Sequence, residues 1–217
     1  MADGDVPPRA VLDGLIGNSA DELLVVAADG GAVKAESIGL LPDVVVGDAD
    51  SLTADEIGRL RSAGAEVVTH PQTKDQSDTE LAVREALARG ATRLVVVGAF
   101  GGRRLEHTLA NVLLLALPEL ATADVTLADG ASTLRVARGG DRLAIAGRPG
   151  DYVSLLPLSD RVAGVTTSGL AYPLSDATLD QGPTRGLSNE MLSAEATVSV
   201  GSGRLAVVHT HRSQGDA

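Results

Sequence analysis

Pro42-Asp43-Val44-Val45-Val46-Gly47-Asp48-Ala49-Asp50-Ser51 is the stretch that decides the fold. Three consecutive valines fit a strand buried on both faces, as in parallel sheets covered by helices. Gly47 lets the backbone turn, and two carboxylates two residues apart emerge just past the strand's carboxyl end. Open α/β sheets bind their ligands at that end. Outward from this strand, residues 23–28, 66–69, 94–98 and 125–128 read as further buried strands, and 54–63, 77–89 and 104–117 as helices that cover a sheet face. The rhythm predicts a doubly wound, mostly parallel sheet with helices on both faces. Pro7-Pro8 looks like the entry to a first helix, with so few residues before it that the usual first strand is missing or very short.

After Asp129-Gly130 the pattern changes to short alternating runs at 132–137, 142–146, 152–157, 162–168, 194–200 and 204–209, punctuated by Gly, Pro, Asp and Ser. Strands at this spacing without helices predict a β-sandwich or barrel. The expected organisation is an α/β domain over residues 1–128 and an all-β domain over 129–217.

Composition narrows the partners. With 44% hydrophobic and 22% charged residues in 217, the chain is an ordinary globular protein. It has no cysteine, so any metal must be held by oxygen or histidine. A formal charge of -11 and only three aromatics, Phe100, Tyr152 and Tyr172, argue against nucleic acid, which rewards clustered cations and stacking platforms. The start lacks a basic and apolar leader and no stretch reaches the ~18 apolar residues of a membrane span, so the expectation is a cytoplasmic protein with no membrane partner.

Acids recur at strand ends. Asp48 and Asp50 could share Mg²⁺ with a nucleotide's phosphates, or cap the next helix. Asp29-Gly30-Gly31 repeats the design after the preceding strand, its glycines open to a ligand's approach, although Asp-Gly is also an ordinary turn. Asp78 follows the fourth strand within Lys74-Asp75-Gln76-Ser77-Asp78-Thr79-Glu80, where Ser77 and Glu80 fit a capping box and Asp78 could merely favour the helix dipole. Acids at three strand ends repel unless a cation neutralises them. Lys74, one of two lysines, could face phosphates or lie exposed on its loop. In the helix after Gly101-Gly102, apolar around most of its circumference and therefore expected to be buried, Arg104, His107 and Asn111 fall at i, i+3 and i+7. A glycine-rich loop opening that helix is a ready anion site.

Taken in order, these segments resemble the thiamine pyrophosphokinase family. The resemblance rests on Asp29-Gly30-Gly31, Gly47-Asp48-Ala49-Asp50-Ser51, Lys74-Asp75-Gln76-Ser77-Asp78, residues 101–111, Gly169-Leu170-Ala171-Tyr172-Pro173-Leu174 and Ser188-Asn189-Glu190. Departures are Ser77 for a threonine, Glu106 for an aspartate, and one extra residue before His107, which leaves Arg103 or Arg104 as the matching arginine; the stripe favours Arg104. A late aromatic has no counterpart near His209 and His211, leaving Tyr172 as the stacking candidate.

The resemblance implies transfer of the pyrophosphoryl group of ATP to the hydroxyl of thiamine, giving thiamine diphosphate and AMP. It places Asp48, Asp50 and Asp78 on Mg²⁺, with Asp29 beside them to help ligate or to activate the hydroxyl. Lys74, Arg104 and His107 would face phosphates. Gly30, Gly31, Ser51, Asp75, Gly101, Gly102 and Asn111 would line the nucleotide site, and Tyr172, Ser188 and Asn189 the thiamine site. It also implies a homodimer with the acceptor site at the subunit interface. Other readings are a diphosphokinase for another hydroxymethyl heterocycle such as a pterin, a nucleotide-sugar transferase that uses Asp48 and Asp50 alone, and a nonenzymatic nucleotide sensor.

Overall fold

The computed structural model describes residues 1–2, 4–17, 23–48, 50–102 and 104–212. The chain divides into two compact units, Met1–Gly130 and Ala131–Ala217.

In the first unit, β1 (Val26–Ala28), β2 (Val44–Gly47) and β3 (Glu66–Thr69) form a parallel sheet in that order, and β4 (Arg93–Val97) pairs in parallel with β5 (Asp124–Ala128). The helices are α1 (Arg9–Ile16), α2 (Gly31–Ser37), α3 (Ala54–Ser62), α4 (Asp78–Ala88) and α5 (Leu105–Leu114). The alternation of strand side chains decides which helix covers which face. Val26, Ala28, Val44 and Val46 pack on Ala82 and Leu81 of α4, while Ala27 and Val45 turn the other way, onto Ala32 of α2 and Leu60 of α3. The valine run thus reads as a strand covered on both sides.

The residues at the amino end stand in for a first strand. The Met1 amine donates to Val26 O (2.6 Å) and Ala28 N–H to Met1 O (2.8 Å), while Ala2 N–H donates to Val97 O (2.8 Å) and Gly4 N–H to Gly98 O (2.7 Å). They therefore join β1 to β4. Beside them lies a cavity of about 460 Å³, lined among others by Ile16, Val25, Leu40, Val83, Arg93 and Val95. The strand expected over 23–28 narrows to the three residues that pair with both Met1 and β2.

Two differences from the sequence reading concern helices. Residues 31–37, for which no helix is predicted, form α2, with Gly30 at its N-cap. The helix expected to be buried over 104–117 is α5, shorter and exposed along one side: Leu105, Leu109 and Leu113 are 71%, 56% and 60% accessible. Their spacing puts these leucines in one row.

In the second unit, β7 (Arg142–Ala146), β9 (Arg161–Ser168), β10 (Ala177–Asp180) and β12 (Glu195–Ser199) form an antiparallel sheet in the order β10-β9-β12-β7. β6 (Ser132–Arg138), β8 (Tyr152–Pro157), β11 (Asn189–Glu190) and β13 (Arg204–Thr210) run β11-β8-β13-β6, also antiparallel. Ile145, Val162, Val165 and Val198 of the first sheet share one core with Val153, Leu155, Leu205 and Val207 of the second, which makes the unit a β-sandwich.

Candidate active site

Three carboxylates meet where the parallel strands end. Asp29 follows β1, Asp48 follows β2, and Asp78 opens α4 after β3; each offers an oxygen, and the three oxygens lie within 4.8 Å of one another. Asp29 holds φ at 44°, in the left-handed region that Asp and Asn tolerate better than most side chains. Gly47 makes the close approach possible, since a Cβ there would stand 3.1 Å from Asp29 Cβ and 3.2 Å from Asp78 Oδ1.

Lys74 sits among these acids. Its Nζ lies 3.1 Å from Asp48 Oδ2 and 2.9 Å from Asp78 Oδ1, and its side chain is only 10% accessible. The reading of Lys74 as an exposed loop residue is corrected, because two carboxylates draw it inward. Asp78 is likewise more than a helix-dipole acid, since Ser77 caps α4 by accepting Glu80 N–H (3.2 Å) and leaves the neighbouring carboxylate to the cluster.

Charge and hydrogen bonding leave this cluster unsatisfied. Asp29 Oδ1 and Asp78 Oδ1 are both buried without a hydrogen-bond partner; the Lys74 ammonium lies at ion-pair distance from the latter but off hydrogen-bond alignment. Burial holds the Asp29 carboxyl above its usual range, with the charges of Asp78 and Asp50 adding to the rise against hydrogen bonds from Ser51. The hydrogen bond from Lys74 lowers Asp48. Burial works to lower Lys74, but its ion pairs with Asp78 and Asp48 outweigh that and hold the ammonium above its ordinary value. Three carboxylates against one ammonium, with Asp29 Oδ1 unpartnered and Asp78 Oδ1 met by that ammonium alone, fit a hard divalent cation bound by oxygen.

Asp50, expected on the cation, lies outside the trio. It is exposed, its N–H donates to Asp48 Oδ1 (3.2 Å), and its Oδ1 accepts Ser51 Oγ–H (3.1 Å). Asp29, expected to help ligate the cation or to activate the hydroxyl, is the trio's third member. The sequence signal for this was residue type, an Asp able to take a left-handed turn directly before two glycines. Ser51 N–H donates to Asp29 Oδ2 (3.2 Å), so Ser51 orients an acid, and Asp75 points to solvent.

Gly31 and Gly101 serve the chain's own packing. A Cβ on Gly31 would meet Met1 O at 2.4 Å and one on Gly101 the Asp5 carboxylate at 2.0 Å, so these two admit the amino-terminal residues, whereas Gly102 faces open space. Asn111, buried, donates from Nδ2 to Ala99 O (2.9 Å) and holds the glycine loop. The expected polar stripe does not form: Arg104 pairs with Glu106 (2.6 Å) and His107 is exposed, whereas Asn111 faces inward. Arg103 lies outside the described residues.

In the second unit, Tyr172 is 73% accessible while its backbone is clamped, because its N–H donates to Asn189 Oδ1 (3.0 Å) and its carbonyl accepts Asn189 Nδ2–H (2.6 Å). Asn189 Oδ1 also accepts Glu190 N–H (2.9 Å). With its amide consumed internally, Asn189 positions Tyr172 and has little left for direct recognition. Ser188, at φ 56°, leaves its hydroxyl outside this clamp while its N–H donates to Ser154 Oγ (3.0 Å).

Residues 18–127 match the thiamin pyrophosphokinase catalytic-domain model, and residues 136–205 the vitamin B1 binding domain of the same enzyme. The chain belongs to the thiamin pyrophosphokinase family. Thiamine pyrophosphokinase of Bacillus subtilis is 27% identical over 203 residues, 94% of either chain. Its crystal structure superposes with a TM-score of 0.83, covering 98% of this chain and 97% of that one. The enzyme from Geobacillus thermodenitrificans gives 0.80 at 28% identity, covering 98% and 96%. The chain is accordingly a family enzyme, a thiamine diphosphokinase.

Proposed function

We propose that this enzyme transfers the pyrophosphoryl group of ATP to the hydroxyl of thiamine with Mg²⁺, as a cytoplasmic homodimer whose acceptor site lies at the subunit interface. The observation that carries the reading is the trio of Asp29, Asp48 and Asp78 around Lys74, with Asp29 Oδ1 left without a partner. Asp48 and Asp78 would hold Mg²⁺, which would supply neutralisation of the polyphosphate charge, and leave Asp29 Oδ1 for the acceptor's proton. Lys74, held charged by its two partners, is placed to donate from Nζ to phosphate oxygens as the acids turn to the cation. Asp29, buried and with Oδ1 free, is placed to accept the hydroxyl proton as that oxygen attacks the β-phosphorus and AMP departs. Such transfer depends on positioning and charge stabilisation, so no covalent nucleophile is required.

Tyr172 and the Ser188 hydroxyl are the acceptor-side groups, Asn189 acting through Tyr172. The leucine row of α5 supports the dimer, since exposed apolar side chains in line mark an interaction face. AMP formation from ATP and Mg²⁺, followed with and without thiamine, tests the assignment: thiamine-dependent AMP release is expected, and ATP binding without AMP release would favour a sensor instead.

A further inference from the structure

A second constellation lies wholly within the β-sandwich. Asp151, just before β8, is buried; His209, near the end of β13, is buried too, and His211 just beyond that strand is half-exposed. His209 Nε2 and His211 Nδ1 each lie 3.0 Å from the same oxygen, Asp151 Oδ2, which also accepts Arg148 N–H at 3.0 Å. Arg212 N–H donates to Oδ1 (3.1 Å). Since an ionised carboxylate only accepts, both ring nitrogens must carry hydrogen in this arrangement. One oxygen with two lone-pair directions thus serves three donors.

A second observation points to the same place. A Cβ on Gly147 would stand 2.7 Å from both His209 Nε2 and Met191 Sδ, and 2.9 Å from Asp151 Oδ2. Three heteroatoms of different kinds therefore converge on Gly147, which has no side chain.

We propose that Asp151, His209 and His211 form a site for a divalent transition cation of the zinc class, separate from the acidic cluster of the first unit. Two imidazole nitrogens and a carboxylate oxygen are the ligand set that such ions take and that Mg²⁺ does not favour. The geometry is close. Ligand atoms at 2.0–2.1 Å from a tetrahedral ion stand about 3.3 Å apart; the two 3.0 Å contacts to Asp151 Oδ2 need open by only a few tenths of an ångström, and all three ligand atoms lie within 4.8 Å of one another. The ring protons move as the ion binds: His209 passes from the Nε2–H to the Nδ1–H tautomer and His211 from Nδ1–H to Nε2–H, with no net proton release from neutral rings. The bound ion ties the end of β13 to the turn before β8, and half-exposed His211 leaves a coordination position facing solvent.

The test uses the full chain, stripped by chelator and titrated calorimetrically with Zn²⁺ in millimolar Mg²⁺ to occupy the acidic cluster. The expected result is saturable binding of one Zn²⁺, weakened at least tenfold in His211→Ala and in Asp151→Asn, with a Zn²⁺-dependent rise in Tm that His211→Ala abolishes. His211 is half-exposed, so that variant folds. Nitrogen-15 spectra of the histidine rings should show both tautomer changes on adding Zn²⁺. Absence of saturable binding, binding indifferent to His211→Ala and Asp151→Asn, or unchanged tautomers would each overturn the site.

Discussion

The residue with the most conflicting demands is Asp29. It combines a left-handed backbone, a buried oxygen without a partner and a carboxyl pushed up by burial and by neighbouring acids. These demands oppose folding and favour cation binding, so removing the charge separates them. Asn tolerates the left-handed conformation as Asp does, so Asp29→Asn should leave the backbone intact. Without divalent cation its Tm should equal or exceed that of the parent, and turnover should fall by about 100-fold or more, in the range expected when a positioned proton acceptor is removed. Thermal melts in chelator beside AMP-release assays check both halves. Asp48→Asn removes the acid that Lys74 lowers and should be as inactive, whereas Asp50→Asn, outside the trio, should lose far less. Equal losses at positions 48 and 50 would return Asp50 to the cation.

At the scale of elements, local sequence chemistry sets helix ends and loop approach. Thr53 and Glu56 close α3 with a reciprocal capping box, Thr53 N–H donating to Glu56 Oε2 at 2.7 Å and Glu56 N–H to Thr53 Oγ1 at 3.3 Å. The hydrogen bonds from Thr53 lower the Glu56 carboxyl below its ordinary 4.5. A carboxyl lower in the folded than in the unfolded state adds stability that is present above the unfolded value and lost as pH falls through the folded one. Loss of the N-cap in Thr53→Ala should cost about 1 kcal/mol near neutral pH, and the part that depends on ionised Glu56 should disappear in acid, as denaturant melts at pH 7 and pH 3 would show. The glycine loop makes a sharper comparison. Gly101→Ala sets a Cβ against Asp5 at a positive φ and should cost ~2 kcal/mol or more, while Gly102→Ala, with open space, should cost only the ~1 kcal/mol of its left-handed backbone. Asp5→Ala should restore part of the first loss and none of the second. Elements with strong local signals were legible in the sequence: β2, β3, β7 and β8 carry the predicted bounds, and α3 and α4 differ by a residue at one or both ends. Those that depend on distant partners were not. The two residues of β11 acquire strand character only from β8, α2 hides behind two glycines, and no periodicity could show that the leucine side of α5 faces outward. Of the site, the three strand-end acids were visible, but the place of Lys74 among them was not, because it depends on a fold-back from the loop before α4. The Asp151–His209 contact spans 58 residues and leaves no local trace.

At the scale of the whole molecule, the leucine row and the two sets of site residues make linked predictions. If Leu105, Leu109 and Leu113 form a subunit contact, Leu109→Glu places a charge in a desolvated face, and sedimentation should show monomers at micromolar concentration where the parent is a dimer. The same variant should keep the parent's Zn²⁺ binding, since Asp151, His209 and His211 belong to one chain's sandwich. A shared acceptor site makes the final prediction. Asp48→Asn disables the acidic cluster, and Asn189→Ala releases the Tyr172 backbone, so each variant alone should turn over poorly. In a mixed dimer whose sites each draw acids from one chain and acceptor groups from the other, one site carries both defects and the other neither. Random exchange at equal amounts gives about half mixed dimers with one competent site of two, so activity should recover to roughly a quarter of the parent's. Recovery at that level, appearing at the rate of subunit exchange, requires sites built from two chains. With exchange confirmed by differently tagged subunits, no recovery would mean that each chain completes its own site.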